Sequence, residues 1–193
     1  MNVFLIAGQP RTRTAWLANF LTYKDSYCFH EAIKACATPQ DMRALFEAVQ
    51  NSSGVRFVGD SDSGIPFIVD GLMDEFPEAK LVVIERNLQD VVRSFKRAFS
   101  ADDASAALVV KKTQLALERL KKKHVPLVIG FKELASEATV RQLWSHCLPN
   151  VPFAQQRWKM LDGFKVEVIA ENYLVDFPPE AVQRIGTLIK NYR

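Results

Sequence analysis

Cysteine is scarce in this sequence, and no apolar run is long enough to cross a membrane. Cys28, Cys36 and Cys147 do not form a metal-binding cluster and cannot all pair within one chain, which excludes a disulfide scaffold and a zinc finger and fits reduced thiols. The first apolar run, Val3 to Ala7, is only a strand long, lacks a basic leader and gives way to Gly8, Gln9 and Pro10. It therefore reads as neither a signal peptide nor a membrane span, and a cytoplasmic protein is expected. Low-complexity tracts and blocks of like charge are missing too, which excludes a disordered tail. The net charge of +3 is modest, and the basic residues are not gathered beside aromatic side chains. A nucleic-acid surface is not indicated, and a small anionic ligand fits better. The densest basic run, Lys121-Lys122-Lys123, ends a predicted helix, where cations complement the carbonyl end of the dipole.

What is present is an alternation of short apolar runs with longer segments of helical period. Asn2 to Ala7, Tyr27 to His30, Val55 to Gly59, Lys80 to Glu85 and Pro126 to Phe131 read as strands. Helical pattern lies between them, most clearly in Asp102 to Lys123, and returns in Glu137 to Cys147, Ala154 to Leu161 and Pro179 to Tyr192, with an extra strand read at Lys165 to Ile169. Parallel strands need long crossovers, and these intervals supply them. The expected fold is a single α/β domain over residues 1–193, in three layers, with a central, mostly parallel sheet of about five strands flanked by helices. Ligands of such sheets bind beyond the carboxyl ends of the strands. That rule selects Gly8 to Thr14, His30-Glu31, Asp60 to Ser63 and Arg86-Asn87. Trp16, Trp144 and Trp158 read as core residues.

The segment from Gly8 to Thr14 is a tight polar turn between a strand and a helix, the arrangement that aims backbone N–H groups and a helix N-terminus at an anion. An ATP-type loop, G-x-x-x-x-G-K-S/T, needs a second glycine, a lysine and a metal-binding hydroxyl, but those slots hold Arg13, Thr14 and Ala15. Arg11 and Arg13 supply positive charge without a metal, so no metal is expected.

Pro10-Arg11-Thr12-Arg13-Thr14-Ala15-Trp16-Leu17 resembles the 5′-phosphosulfate loop of P-loop sulfotransferases, P-K-S-G-T-T-W-L, with Arg11 in the lysine position, Arg13 in place of the glycine and Ala15 in place of a threonine. A second segment, Arg86-Asn87-Leu88-Gln89-Asp90 through Ser94, resembles the family's 3′-phosphate motif R-N-P-x-D-x-x-x-S, with Leu88 departing from the proline. Phe131-Lys132-Glu133-Leu134 and Pro152-Phe153 near Arg157-Trp158 resemble later family patterns more weakly. The resemblance implies 3′-phosphoadenosine 5′-phosphosulfate as donor and 3′-phosphoadenosine 5′-phosphate as product. It implies that Pro10 to Ala15 hold the 5′ end, with Arg11 at the sulfate and bridging oxygen, and that Arg86 and Ser94 hold the 3′-phosphate. The implied activity is sulfuryl transfer to a hydroxyl or amine of a small-molecule or sugar acceptor.

Such transfer requires a base opposite Arg11. Glu31 is the first candidate, because sulfotransferases acting on sugars are similar in carrying a glutamate soon after the first helix. His30 is the second. The histidine that phenol-type members carry after the third strand is missing from Gly59-Asp60-Ser61-Asp62-Ser63, so Asp60 and Asp62 remain as alternative bases or as groups that grip a polar or cationic acceptor. An unusual P-loop kinase and a catalytically silent phosphonucleotide-binding protein are the alternative functions.

Overall fold

The computed structural model describes residues 1–162. Expected elements at Lys165 to Ile169 and Pro179 to Tyr192, and the remainder of a domain running to residue 193, lie outside the described residues. In chain order the elements are β1 (Asn2–Gly8), α1 (Thr14–Leu21), β2 (Ser26–His30), a 3-10 turn (Ala32–Ala35), α2 (Pro39–Ser53), β3 (Phe57–Asp62), α3 (Ile65–Glu75), β4 (Lys80–Glu85), α4 (Leu88–Phe99), α5 (Asp103–Lys123), β5 (Leu127–Gly130), a second 3-10 turn (Phe131–Ala135), α6 (Glu137–Cys147) and α7 (Gln155–Asp162).

The five strands form one parallel sheet in the order β2-β3-β1-β4-β5. β1 lies at its centre because Val3 to Ala7 is apolar on both faces and buried throughout. One layer consists of α1 over β1, β2 and β3, α7 against α1, and α6 over β4 and β5. Trp144 of α6 meets Phe20 of α1 at 5.1 Å between ring centroids. The opposite layer contains α2, α3 and α5, with α4 against α5. There Phe29 of β2 stacks on Phe46 of α2, which stacks in turn on Phe76. Trp16, Trp144 and Trp158 belong to the buried core, as expected.

The helix ends follow from local chemistry. Thr38 and Asp41 form a capping box ahead of α2, with Pro39 at its first position and Gly54 in the left-handed conformation at its end. The Asn87 side chain accepts from the Gln89 and Asp90 amides to start α4, and Asp102 accepts from Ser105 N–H at 2.9 Å to start α5. These caps set where each helix leaves the rim of the sheet.

One boundary differs in a way that matters. Val55 to Gly59 was the expected third strand, with Asp60 to Ser63 beyond it, but β3 begins at Phe57 and continues through Asp62. Both neighbours hold it there: Leu5 and Phe29 align with Asp60, and Ala7 aligns with Asp62. Ladder pairing on both sides outweighs the turn preference of Asp-Ser-Asp.

Candidate functional site

The turn after β1 is built around two arginines in the left-handed region, Arg11 at φ 69° and Arg13 at φ 64°. Each such residue costs about 1–2 kcal/mol in a chain of L-residues, so the turn must be held from outside. Thr12 does part of this: fully buried, it donates from Oγ1 to the Gln9 carbonyl at 2.6 Å. Gly8 makes the space for it, since a Cβ there would lie 2.4 Å from Thr12 Oγ1. Arg86 Nη1 donates to the Arg11 carbonyl at 2.5 Å, and Leu17 N–H donates to the Arg13 carbonyl at 2.9 Å as α1 begins. Left-handed residues next to right-handed ones turn successive N–H groups toward one point, the backbone form of an anion cradle. Pro10 brings no N–H to it, and Ala15 brings no hydroxyl to the slot where an ATP-type loop holds its metal.

The second half of the basic cluster follows β4, which lies next to β1 in the sheet. Here the chain's path across the sheet reverses, opening the crevice where α/β sheets bind ligands. Arg86 lies with its guanidinium 4.2 Å from the centroid of Phe131, and Arg13 is 5.6 Å from the centroids of both Phe131 and Trp16. Ser94 on α4 accepts from Arg11 Nε at 3.5 Å. The Arg86 guanidinium has its pKa pushed down, first by partial burial and also by Arg11, Arg13 and Arg97, with Asp90 opposing. Positive charge is therefore crowded at this crevice, and an anion would relieve it.

The other half of the rim is built differently. His30 ends β2 with Nε2 3.1 Å from Thr14 Oγ1, so the histidine touches the first residue of α1. Burial lowers its pKa, with Glu31 opposing and Lys34 adding to the fall. Glu31 follows at φ 62° and is ion-paired to Lys34. Asp60 is fully buried and Asp62 nearly so. Asp60 Oδ1 accepts from Ala32 N–H at 3.2 Å, and its Oδ2 has no hydrogen-bond partner among the described residues. Asp62 Oδ1 accepts from Gly64 N–H at 2.7 Å. Burial raises both carboxyl pKa values, and for Asp60 the neighbouring Asp62 raises it further.

Strand periodicity separates these groups. Asp60 is aligned with Phe29, which stacks on Phe46 of α2, whereas His30 is one residue further along and reaches Thr14 on the α1 side. Asp60 and Asp62 thus share the α2 face, and His30 faces α1. Of the residues singled out by sequence, Arg11, Arg86 and Ser94 meet at the crevice, and His30 meets Thr14 at the start of α1. Thr12 is buried beneath the turn, Glu31 is engaged by Lys34, and Asp60 is enclosed within the sheet. Two contributors carried no sequence signal of this role: Phe131, under two guanidinium groups, and Gln9, whose side chain reaches α5 across 101 and 105 residues of chain. Among the described residues, no group of three or more His, Cys, Asp or Glu side chains is arranged to hold a metal ion, and no helix is long and apolar enough to cross a membrane.

No family model matches the chain, and no curated protein matches it. Two solved structures are similar over nearly its whole length. A sulfotransferase from Alicyclobacillus acidocaldarius is 18% identical, with 98% of this chain and 96% of that chain covered and a TM-score of 0.57. The sulfotransferase domain from the curacin biosynthetic pathway is 11% identical, with 98% of each chain covered and a TM-score of 0.54. The chain has the α/β fold of these two sulfotransferase structures.

Proposed function

We propose that this protein is a sulfotransferase that moves a sulfuryl group from 3′-phosphoadenosine 5′-phosphosulfate to a hydroxyl or amine of a small-molecule or sugar acceptor. The observation that carries the reading is the convergence of Arg11 and Ser94 with Arg86 at the β1/β4 crevice, in a turn that lacks the glycine, lysine and metal-site hydroxyl of an ATP loop. Two sulfotransferases sharing the fold support it.

In this reading the backbone N–H groups of residues 11–14 bind the 5′-phosphate, while Arg86 and Ser94 bind the 3′-phosphate. Thr12 sets the turn and Thr14 adds a hydroxyl at the start of α1. Arg11 lies over the bridging oxygen, where negative charge grows as the sulfur–oxygen bond breaks. The acceptor oxygen attacks sulfur in line with that bond, its proton passes to His30 Nε2, and 3′-phosphoadenosine 5′-phosphate leaves. His30 is preferred to Glu31 as the base on two grounds: it is near the loop, and burial favours its neutral, proton-accepting form. Glu31, paired with Lys34, then offsets the effect of burial on the imidazole. Asp60 and Asp62, withdrawn from solvent on the α2 face, support the end of β3 rather than the acceptor. Arginine charge replaces a metal at every step. The buried, unpaired thiols Cys28 and Cys147 support a reducing, cytoplasmic setting.

The test is calorimetric titration with 3′-phosphoadenosine 5′-phosphate, beside ATP with magnesium and beside Arg86→Ala. Selective binding of the 3′-phosphorylated nucleotide, lost in the variant, supports the assignment. A preference for ATP with magnesium would overturn it in favour of a kinase.

A further inference from the structure

Gln9 is almost completely buried, although it sits in the polar turn between β1 and the two arginines. Its Nε2 donates to the Val110 carbonyl at 3.3 Å and to Gln114 Oε1 at 2.9 Å, both on α5. A backbone carbonyl only accepts, so Gln9 must present its amide nitrogen there and Gln114 its oxygen. Gln114 is then left to donate from Nε2 to Glu118 Oε1 at 2.6 Å. Lys121 Nζ donates to the same Glu118 oxygen at 3.0 Å and to Glu85, the last residue of β4. Residues 110, 114, 118 and 121 lie on one face of α5, spaced by three or four.

These contacts form a continuous polar ladder from the turn after β1, along α5, to the residue preceding Arg86. Its two ends adjoin the two segments that hold the ends of the nucleotide in the reading above, on which this inference rests for its ligand. The helix between them is a rod of 21 residues that packs on α3, α4 and β1. The Gln9 carbonyl also accepts the Thr12 hydroxyl, so one residue joins the rod to the left-handed turn.

We propose that Gln9 is a positioning residue for the donor site, and that the ladder through Gln114, Glu118 and Lys121 holds the β1 turn and the end of β4 at a fixed separation. Gln9 touches no phosphate. It acts by keeping the turn in its anion-binding shape before the ligand arrives, so that ordering of the turn is not charged against binding.

The test uses the full chain with Gln9→Met, Gln114→Met and the double variant, with Arg86→Ala as a control. Backbone amide exchange of residues 11–14 is measured without ligand, the affinity for 3′-phosphoadenosine 5′-phosphate by calorimetry, and the melting temperature in parallel. Loss of a buried hydrogen bond predicts exchange and dissociation constant each raised about tenfold in either single variant. The double variant should be little worse than the single ones, because both break the same ladder. A lower melting temperature with turn exchange and affinity unchanged would overturn the proposal and make Gln9 a core filler. If the unaltered protein binds no 3′-phosphorylated nucleotide, the sulfotransferase reading fails, and the exchange comparison alone decides the ladder. If Gln9→Met does not fold, Lys121→Met cuts the ladder at its far, solvent-accessible end and is judged by the same exchange and affinity criteria.

Discussion

Beyond β1 and β4 the rim of the sheet carries Arg11, Arg13 and Arg86 on a turn and a strand end, whereas the rim of β2 and β3 carries His30, Glu31, Asp60 and Asp62, with both aspartates withdrawn from solvent. Partial burial leaves an arginine charged, because its proton is held too tightly to be lost, but it makes a carboxylic acid retain its proton and an imidazole give one up. The first half is therefore a permanent charge and the second a titratable one. The arginine charge that would hold an anion is independent of pH, whereas proton transfer at the other half would depend on it.

The largest expected break in this comparison comes from His30→Gln. Loss of a general base should lower kcat about 10²–10⁴-fold while leaving 3′-phosphoadenosine 5′-phosphate binding within about twofold in calorimetry. In the unaltered enzyme kcat/KM should rise with pH as His30 loses its proton, with an inflection below the ordinary histidine value of 6.5 because burial lowers its pKa. An unchanged rate in the variant would move the base to Glu31. Next, Arg86→Ala removes a charge-assisted contact from the permanent half and should weaken nucleotide binding about a hundredfold, without moving the pH inflection. Gly8→Ala should destabilise the fold by about 1–3 kcal/mol in urea titration, since the new methyl meets Thr12 Oγ1, itself fixed by the Gln9 carbonyl.

The smallest effect is expected at Asp60. Its pKa is raised in the folded protein, so above the ordinary value of 3.8 the unfolded chain releases a proton that the folded one keeps, and stability falls as pH rises. Asparagine mimics the protonated acid and still accepts from Ala32 N–H. Asp60→Asn should therefore change little at pH 4 and raise the melting temperature by about 2–4 °C at pH 8. A gain that shrank with rising pH would mean that Asp60 is ionised in the fold.

The layers, and the turn and strand end that carry the arginines, were legible in the sequence because their signals are local. Val3 to Ala7 followed by a polar turn marks a central strand and its loop, and Arg86 to Ser94 marks another strand end with its helix. The acceptor side was harder to read. Asp60-Ser61-Asp62 has the composition of a turn, yet two neighbouring strands hold it in the sheet, so Asp60 is enclosed instead of facing a ligand. Glu31 precedes a helical turn and looks available, but Lys34, one turn on, engages it. Arg13 in the family's glycine position signals an altered loop, although nothing local states that it adopts the glycine conformation regardless. Gln9 is illegible for a simpler reason: its partners lie more than a hundred residues away.

The placement of β1 also bears on how the chain is made. Phe4 pairs with Gly59 on one side and Lys80 on the other, so the most apolar strand is synthesised before either of its neighbours exists. During translation Val3 to Ala7 must wait with both edges open, and closure of such long loops slows folding. Until β4 has emerged, the nascent chain exposes an apolar strand with an unpaired edge, the kind of surface that aggregates.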